Sequence, residues 1–216
     1  MVSTTADGTQ AIEAFLAGAE VVAAAVASPE VATCWEQPSV LEEQTVGSLA
    51  GHLARGAVWA VADYLDAGEP EGELTYRSAG EYFAHRMSIA TSEDHEAIRR
   101  RGADVGSVGQ AALAEELRRR LDALQRELPT LPPARRVTVV GGSIMRLDDY
   151  LRTRIVEQVV HLDDLARSVG REWPVPDACT RVAIDAGLEV AERRLGTTAV
   201  LRALYRRGFS DVLPVF

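Results

Sequence analysis

Lysine is absent. All 23 basic residues of this 216-residue chain are Arg, set against 32 acidic residues for a net charge of −9. Without Lys there is no phosphate-loop lysine, no Schiff-base lysine and no lysine general base. Cysteine is nearly absent: Cys34 and Cys179 are too few for a disulfide framework and read as free thiols. The chain lacks the net basic balance that a nucleic acid or an anionic membrane surface would need. No long apolar run occurs. The longest strongly apolar stretch, 21–27, falls far short of the ~20 residues that cross a bilayer. The opening MVSTTADGTQ has no basic region ahead of an apolar run, so it does not read as a signal peptide. These absences point to a soluble cytoplasmic protein. No G-x-S-x-G elbow occurs, and Gly141-Gly142-Ser143 lacks the rest of a phosphate loop.

What remains is globular: 47% hydrophobic and 25% charged. Ala occurs 33 times, and heavy Ala and Arg use without Lys suits a GC-rich genome. The length allows one large domain or one with a small appendage. Ile12, Phe15, Leu16, Ala19, Val22, Ala23 and Val26 recur at helical steps, and Ser28-Pro29 closes that helix. A loop is expected over 30–44. Thr45 is a plausible N-cap for a second helix with the stripe Val46, Leu49, Leu53, Gly56, Ala60 and Tyr64, ending near Gly68. Residues 71–86 read as loop then helix, and Gly102, Gly106 and Gly109 as breaks. Leu113, Leu117, Leu121, Leu124 and Leu128 line a third long helix, with Glu115 and Glu116 placed to pair with Arg119 and Arg120. Residues 136–140 read as a short strand or extended arm stopped by Gly141-Gly142. A fourth helix spans about 147–168 and ends at Gly170, and a fifth spans about 177–194. The tail, 197–216, adds at most a short helix. Four long helices with long connections pack naturally as an antiparallel four-helix bundle. Pro174 and Pro176 mark the boundary between 1–172 and a helical C-terminal extension, 173–216.

The chemistry concentrates in few residues. Glu157 and His161 are four apart and share a helix face, so a carboxylate and an imidazole can reach one ion. Asp164, three residues further, can accept the other imidazole N–H and fix its tautomer. His52 flanks the apolar stripe of the second helix and can look across a seam. His52, Glu157 and His161 together give three ligands with an open position, a set suited to catalytic zinc and also to iron or nickel. The bland alternative is a solvated E-x-x-x-H pair, since both residues lie roughly 100–140° from the main stripe of their own helix. His85 and His95 have no partner at ligand spacing and read as surface residues. Arg99–Arg101 and Arg118–Arg120 read as solvated helix charge, Cys34 as a buried thiol, and Trp35 and Trp59 as core or seam residues.

These motifs carry a resemblance. Trp35-x-x-Pro38 followed by Thr45-Val46-Gly47-Ser48-Leu49-Ala50-Gly51-His52-Leu53-Ala54 resembles the second-helix motif of the DinB-like superfamily. Arg154-x-x-Glu157-x-x-x-His161-x-x-Asp164-Leu165-Ala166 is similar to the fourth-helix motif of its mycothiol-dependent maleylpyruvate isomerase family, an actinobacterial group. The resemblance covers about 11–170. It implies an all-α, DinB-like four-helix bundle in which His52, Glu157 and His161 bind a divalent metal, usually zinc. It implies a thiol cofactor, mycothiol, and an isomerase or S-transferase acting on a small electrophile, with a non-catalytic metal- or small-molecule-binding bundle as the alternative. A homodimer is compatible with it. Arg154 is then a candidate for orienting Glu157 or an anionic substrate. The chain departs from the family at Gln44, where Trp is common. The characterised isomerase also carries a further α/β domain, for which the stretch after Gly170 is too short; if that domain helps bind substrate in the isomerase, a different substrate is expected here.

Overall fold

The structure, a computed structural model, describes residues 5–208; 1–4 and 209–216, the ends of the N-terminal stretch and of the expected C-terminal extension, lie outside them. The described residues are mainly helical. α1 spans Thr5–Val26 and α2 Pro29–Cys34. α3 spans Val46–Ala54 and runs through a wide π-turn, Arg55–Trp59, into α4, Ala60–Asp66. α5 spans Ala79–Ile89, α6 Ser92–Gly106 and α7 Gln110–Glu127. A two-stranded hairpin, β1 Arg136–Thr138 and β2 Ile144–Arg146, leads into α8, Leu147–Val169. α9, Asp177–Leu195, and α10, Thr197–Tyr205, follow.

Four rods make the bundle: α1, the α3–α4 rod, α7 and α8. α1 lies against α7 and α8, while α3 and the π-turn lie against α8 and α7. The periodic residues meet inside. Phe15, Leu49, Leu53, Leu113, Leu117, Leu121, Leu151 and Ile155 are all fully buried, each Leu contributing about 1.5–3 kcal/mol. α6 packs along the outside of α3, and α9 covers α1, α5 and α8. The fold is all-α with a single small hairpin among the described residues.

Several expectations change. The loop expected over 30–44 begins with α2, because the Ser28 hydroxyl accepts the Val31 amide and Pro29 suits a first helical position. Gly102 and Gly106 do not break the chain; they lie within α6, and only Gly109, at φ 85°, sits in a left-handed break. Gly141 and Gly142, at φ 74° and 75°, form the turn of a hairpin rather than a strand end. The second helix slips in phase. Val46, Leu49 and Leu53 of the expected stripe are buried, but beyond them the buried residues are Ala57, Val58, Val61 and Leu65, while Gly56, Ala60 and Tyr64 of the expected stripe are only half-buried. The inserted π-turn residue rotates everything beyond it by about 100° relative to a straight α-helix. α1 also passes the length and composition needed to cross a bilayer, a property hidden when only unbroken apolar runs are counted; its apolar face is buried in the bundle core.

The start of α8 holds a buried acidic pair. Asp148 accepts Arg146 at 2.9 and 3.0 Å, and Asp149 lies beside it. Burial, then the Asp148 charge, push the Asp149 carboxyl up to about 6. The native state thus holds a proton there more tightly than the unfolded chain. The corresponding stability is present below the unfolded value near 3.8 and is lost as pH rises through about 6. Asp149→Asn is expected to raise unfolding free energy by on the order of 2 kcal/mol at pH 8, a gain that fades below pH 5. Urea titrations at both pH values check it; equal gains at both would refute the charge argument.

Candidate metal centre

His52 reaches towards α8 because α3 is fixed at its start. The Thr45 hydroxyl caps it by accepting the Ser48 amide at 3.1 Å. Trp35 packs flat against Gly47, where a Cβ would meet the indole at 2.6 Å. α8 supplies the other two side chains, one turn apart. It runs unbroken to Gly170, whose left-handed φ of 68° ends it.

His52 Nε2 and His161 Nε2 each stand 3.4 Å from the same oxygen, Glu157 Oε2. The two imidazoles meet edge to face, with ring centroids 4.7 Å apart. One donor atom from each of the three residues lies within 4.8 Å of the others, the one such group of three or more among the described residues. A separation of 3.4 Å is long for a charge-assisted N–H···O bond. It matches the edge of a tetrahedron with bonds of about 2.1 Å to a shared zinc-sized ion. All three side chains are about one-fifth exposed, so one side opens to solvent or ligand. The donor set and its spacing fit a divalent metal with a free coordination position.

The surrounding residues hold this triangle in place. His161 Nδ1 meets Asp164 Oδ2 at 2.9 Å, which leaves Nε2 to point at Glu157. Arg154 Nη2 lies 4.0 Å from Glu157 Oε1, and the guanidinium sits 5.1 Å over the Tyr150 ring. Burial on its own would raise the Glu157 carboxyl. The imidazoles of His161 and His52 and the Arg154 charge outweigh burial and hold it well below the carboxylate range. Burial lowers His161, but Asp164 and Glu157 override it and lift the imidazole to about 9. In the metal-free site the negative charge therefore rests on Glu157, and His161 carries a proton that an incoming cation would displace.

The triangle forms the inner end of a cleft of about 770 Å³. Tyr64, Tyr82, Tyr150 and Arg154 line it nearby, and α5 and α6 supply its outer wall. Arg55, Arg86 and Arg101 also line it and have no ion-pair partner among the described residues. Arg99 pairs with Glu43 at 3.0 Å. Arg100 and Arg101 are exposed and Arg99 is half-exposed, so the basic run 99–101 is solvated as expected. The run 118–120 is as expected: Arg119 and Arg120 pair with Glu116, and Arg118 with Glu20. His95 is exposed at the cleft rim. His85 is exposed too, with the Tyr76 hydroxyl 2.6 Å from its Nδ1. Cys34 is half-buried rather than buried, while Cys179 is buried and burial pushes its thiol up. Trp35 and Trp59 are half-buried seam residues, Trp59 beneath the Arg120 guanidinium at 4.6 Å. Sequence reasoning missed the tyrosines. The signal was present in part, because Tyr150, Arg154, Glu157 and His161 recur at steps of four, three and four and so share one face of α8.

No curated protein and no solved structure matches the chain. Residues 15–166, well over half the chain and spanning all three convergent side chains, match the family described as the mycothiol maleylpyruvate isomerase N-terminal domain, and the chain belongs to that family.

Proposed function

We propose that this chain is a divalent-metal-dependent enzyme that uses a thiol cofactor on a small electrophilic substrate, as an isomerase or an S-transferase. The convergence of His52, Glu157 and His161 at the inner end of a substrate-sized cleft carries this reading. The three side chains would hold the ion, with zinc favoured by the two-imidazole, one-carboxylate set. A bound divalent ion supplies Lewis acidity that lowers the pKa of a thiol or water brought to it. Mycothiol is the thiol that the family's name suggests.

The chain's own groups have distinct tasks. Asp164 fixes the His161 tautomer. Arg154 neutralises and orients Glu157. The tyrosines and Phe83 shape a partly dry wall, and the free arginines at the mouth favour an anionic or strongly polar reactant. Residues 5–172 form the working unit in this reading, with 173–208 as an extension packed on it.

The test is metal analysis of purified protein followed by turnover assays with mycothiol and a panel of electrophiles. Near-stoichiometric metal with thiol-dependent turnover is the expected result. Metal without turnover favours the non-catalytic binding protein, and a metal-free native chain that takes up no added zinc, nickel or iron refutes both.

A further inference from the structure

α3 changes its hydrogen-bond pattern one turn after His52. The Ala60 amide reaches back five residues to the Arg55 carbonyl, where an α-helix would take it to Gly56. The Gly56 carbonyl is thereby released and needs another donor. Arg154 Nη1 supplies it at 2.7 Å. Gln158 Nε2 reaches the next carbonyl, that of Ala57, at 3.3 Å, and also the Phe15 carbonyl on α1 at 3.3 Å. Arg154 and Gln158 are one turn apart on α8 and flank Glu157. Both are buried, at 8% and 0% exposure.

The phase of the rod shows what the π-turn achieves. Leu53 and Val61 are both fully buried, eight residues apart. In a straight α-helix they would point about 80° apart, whereas one inserted residue brings them to within about 20°. Both halves of the rod can therefore face the core only while the π-turn persists. If it reverts, one half must rotate by about 100°, and the half carrying His52 is the one that faces the metal triangle.

We propose that Arg154 and Gln158 are positioning residues of the metal centre: their bonds to the Gly56 and Ala57 carbonyls hold the π-turn and so set where His52 stands relative to Glu157 and His161. The metal part rests on the function proposed above, whereas the coupling of α8 to the π-turn does not. Arg154 thus links two tasks, facing the Glu157 carboxylate with one nitrogen and fixing the helix that carries His52 with another.

The experiment compares wild type with Arg154→Met, Arg154→Lys and Gln158→Met, and with Arg167→Ala as an exposed control on the same helix. Zinc affinity is read by competition with a chromophoric chelator, ligand geometry by the visible spectrum of the cobalt-loaded protein, and the π-turn by amide exchange over residues 55–60 in metal-free protein. Arg154→Met and Gln158→Met are expected to weaken zinc binding at least tenfold, the usual size of an effect from residues that support metal ligands. They should shift the cobalt spectrum and accelerate exchange over 55–60. Arg154→Lys should restore part of each readout, and Arg167→Ala should change none. If Arg154→Met fails to fold, Gln158→Met carries the test alone. Exchange over 55–60 that stays at the wild-type rate in the folded variants overturns the proposal. So does zinc affinity within twofold of wild type with an unchanged cobalt spectrum. A wild-type chain that binds no metal refutes the proposed function instead, and the exchange measurement then still decides the coupling.

Discussion

His161→Ala and His52→Ala are each expected to lower zinc affinity by at least about 100-fold. Loss of residues that merely support ligands costs about 10–100-fold, and these two imidazoles supply two of the three donor atoms. Proton competition adds a second signature. His161 is held near 9 in the metal-free protein, so at pH 7 an incoming ion must displace its proton. The apparent Kd of the wild type should therefore fall about tenfold per pH unit between pH 7 and pH 9 and then level off, and His161→Ala should lose that slope. Stability follows from mass action. Zinc at 100 times its Kd adds about 2.7 kcal/mol to the wild type, against almost nothing in His161→Ala. Glu157→Gln behaves differently, because it also removes the counter-charge facing the buried Arg154 guanidinium. It should lower stability even without metal, by roughly 3 kcal/mol, the cost of leaving a buried charge unpaired. Thermal melts with and without zinc separate these cases. A wild-type Tm that does not respond to any divalent ion would show that the triangle is not a metal site.

How much of this is legible in the sequence depends on the period of the signal. α8 can be read almost to the residue, because its stripe, its Gly170 stop and the E-x-x-x-H pair are local features of one regular helix. The Leu113–Leu128 stripe of α7 is equally plain. The partnership of His52 with Glu157 lies outside any local period, since the two are 105 residues apart and only the bundle brings them together; there the family resemblance does what spacing cannot. The π-turn is invisible. Nothing in Arg55-Gly56-Ala57-Val58-Trp59 demands it, and its stabilising donors, Arg154 and Gln158, come from another helix. The same holds for α6. Gly102 and Gly106 read as breaks because glycine is a poor helix former in isolation, but here its missing side chain allows a close tertiary contact. Cys34 is misread in the same way, when its burial is taken from sequence neighbours rather than from the packed bundle.

That close contact yields the second large effect. Gly47 and Gly51 on α3 face Gly102 and Gly106 on α6, four residues apart on each helix. A Cβ on Gly51 would lie 2.3 Å from the Gly102 carbonyl oxygen and 2.6 Å from the Gly106 nitrogen. A Cβ on Gly106 would lie 2.3 Å from the Gly47 carbonyl oxygen. These obstacles are backbone atoms, so no rotamer change relieves them and the helices must separate. Overpacking of a core costs about 1–3 kcal/mol and more where nothing can yield. Gly51→Ala and Gly106→Ala should therefore each cost about 3 kcal/mol or more, a fall in Tm of roughly 6–12 °C for a chain of this size. Gly187→Ala is the counter-case. Gly187 lies within α9, and a Cβ there would meet nothing inside 4 Å, so the better helix propensity of Ala should raise stability by up to about 1 kcal/mol. Gly102→Ala separates stability from function. Its Cβ would press on the Ser48 carbonyl oxygen at 2.9 Å and on His52 Cβ at 3.1 Å. A smaller loss of stability should accompany a measurable loss of zinc affinity, because the strain falls on the ligand itself. Since α6 also carries Ile98, Arg99 and Arg101 to the cleft, any widening of this contact moves the cleft wall and the histidine together. If Gly51→Ala and Gly187→Ala melt within 2 °C of each other, the glycine contact does not hold α6 against α3.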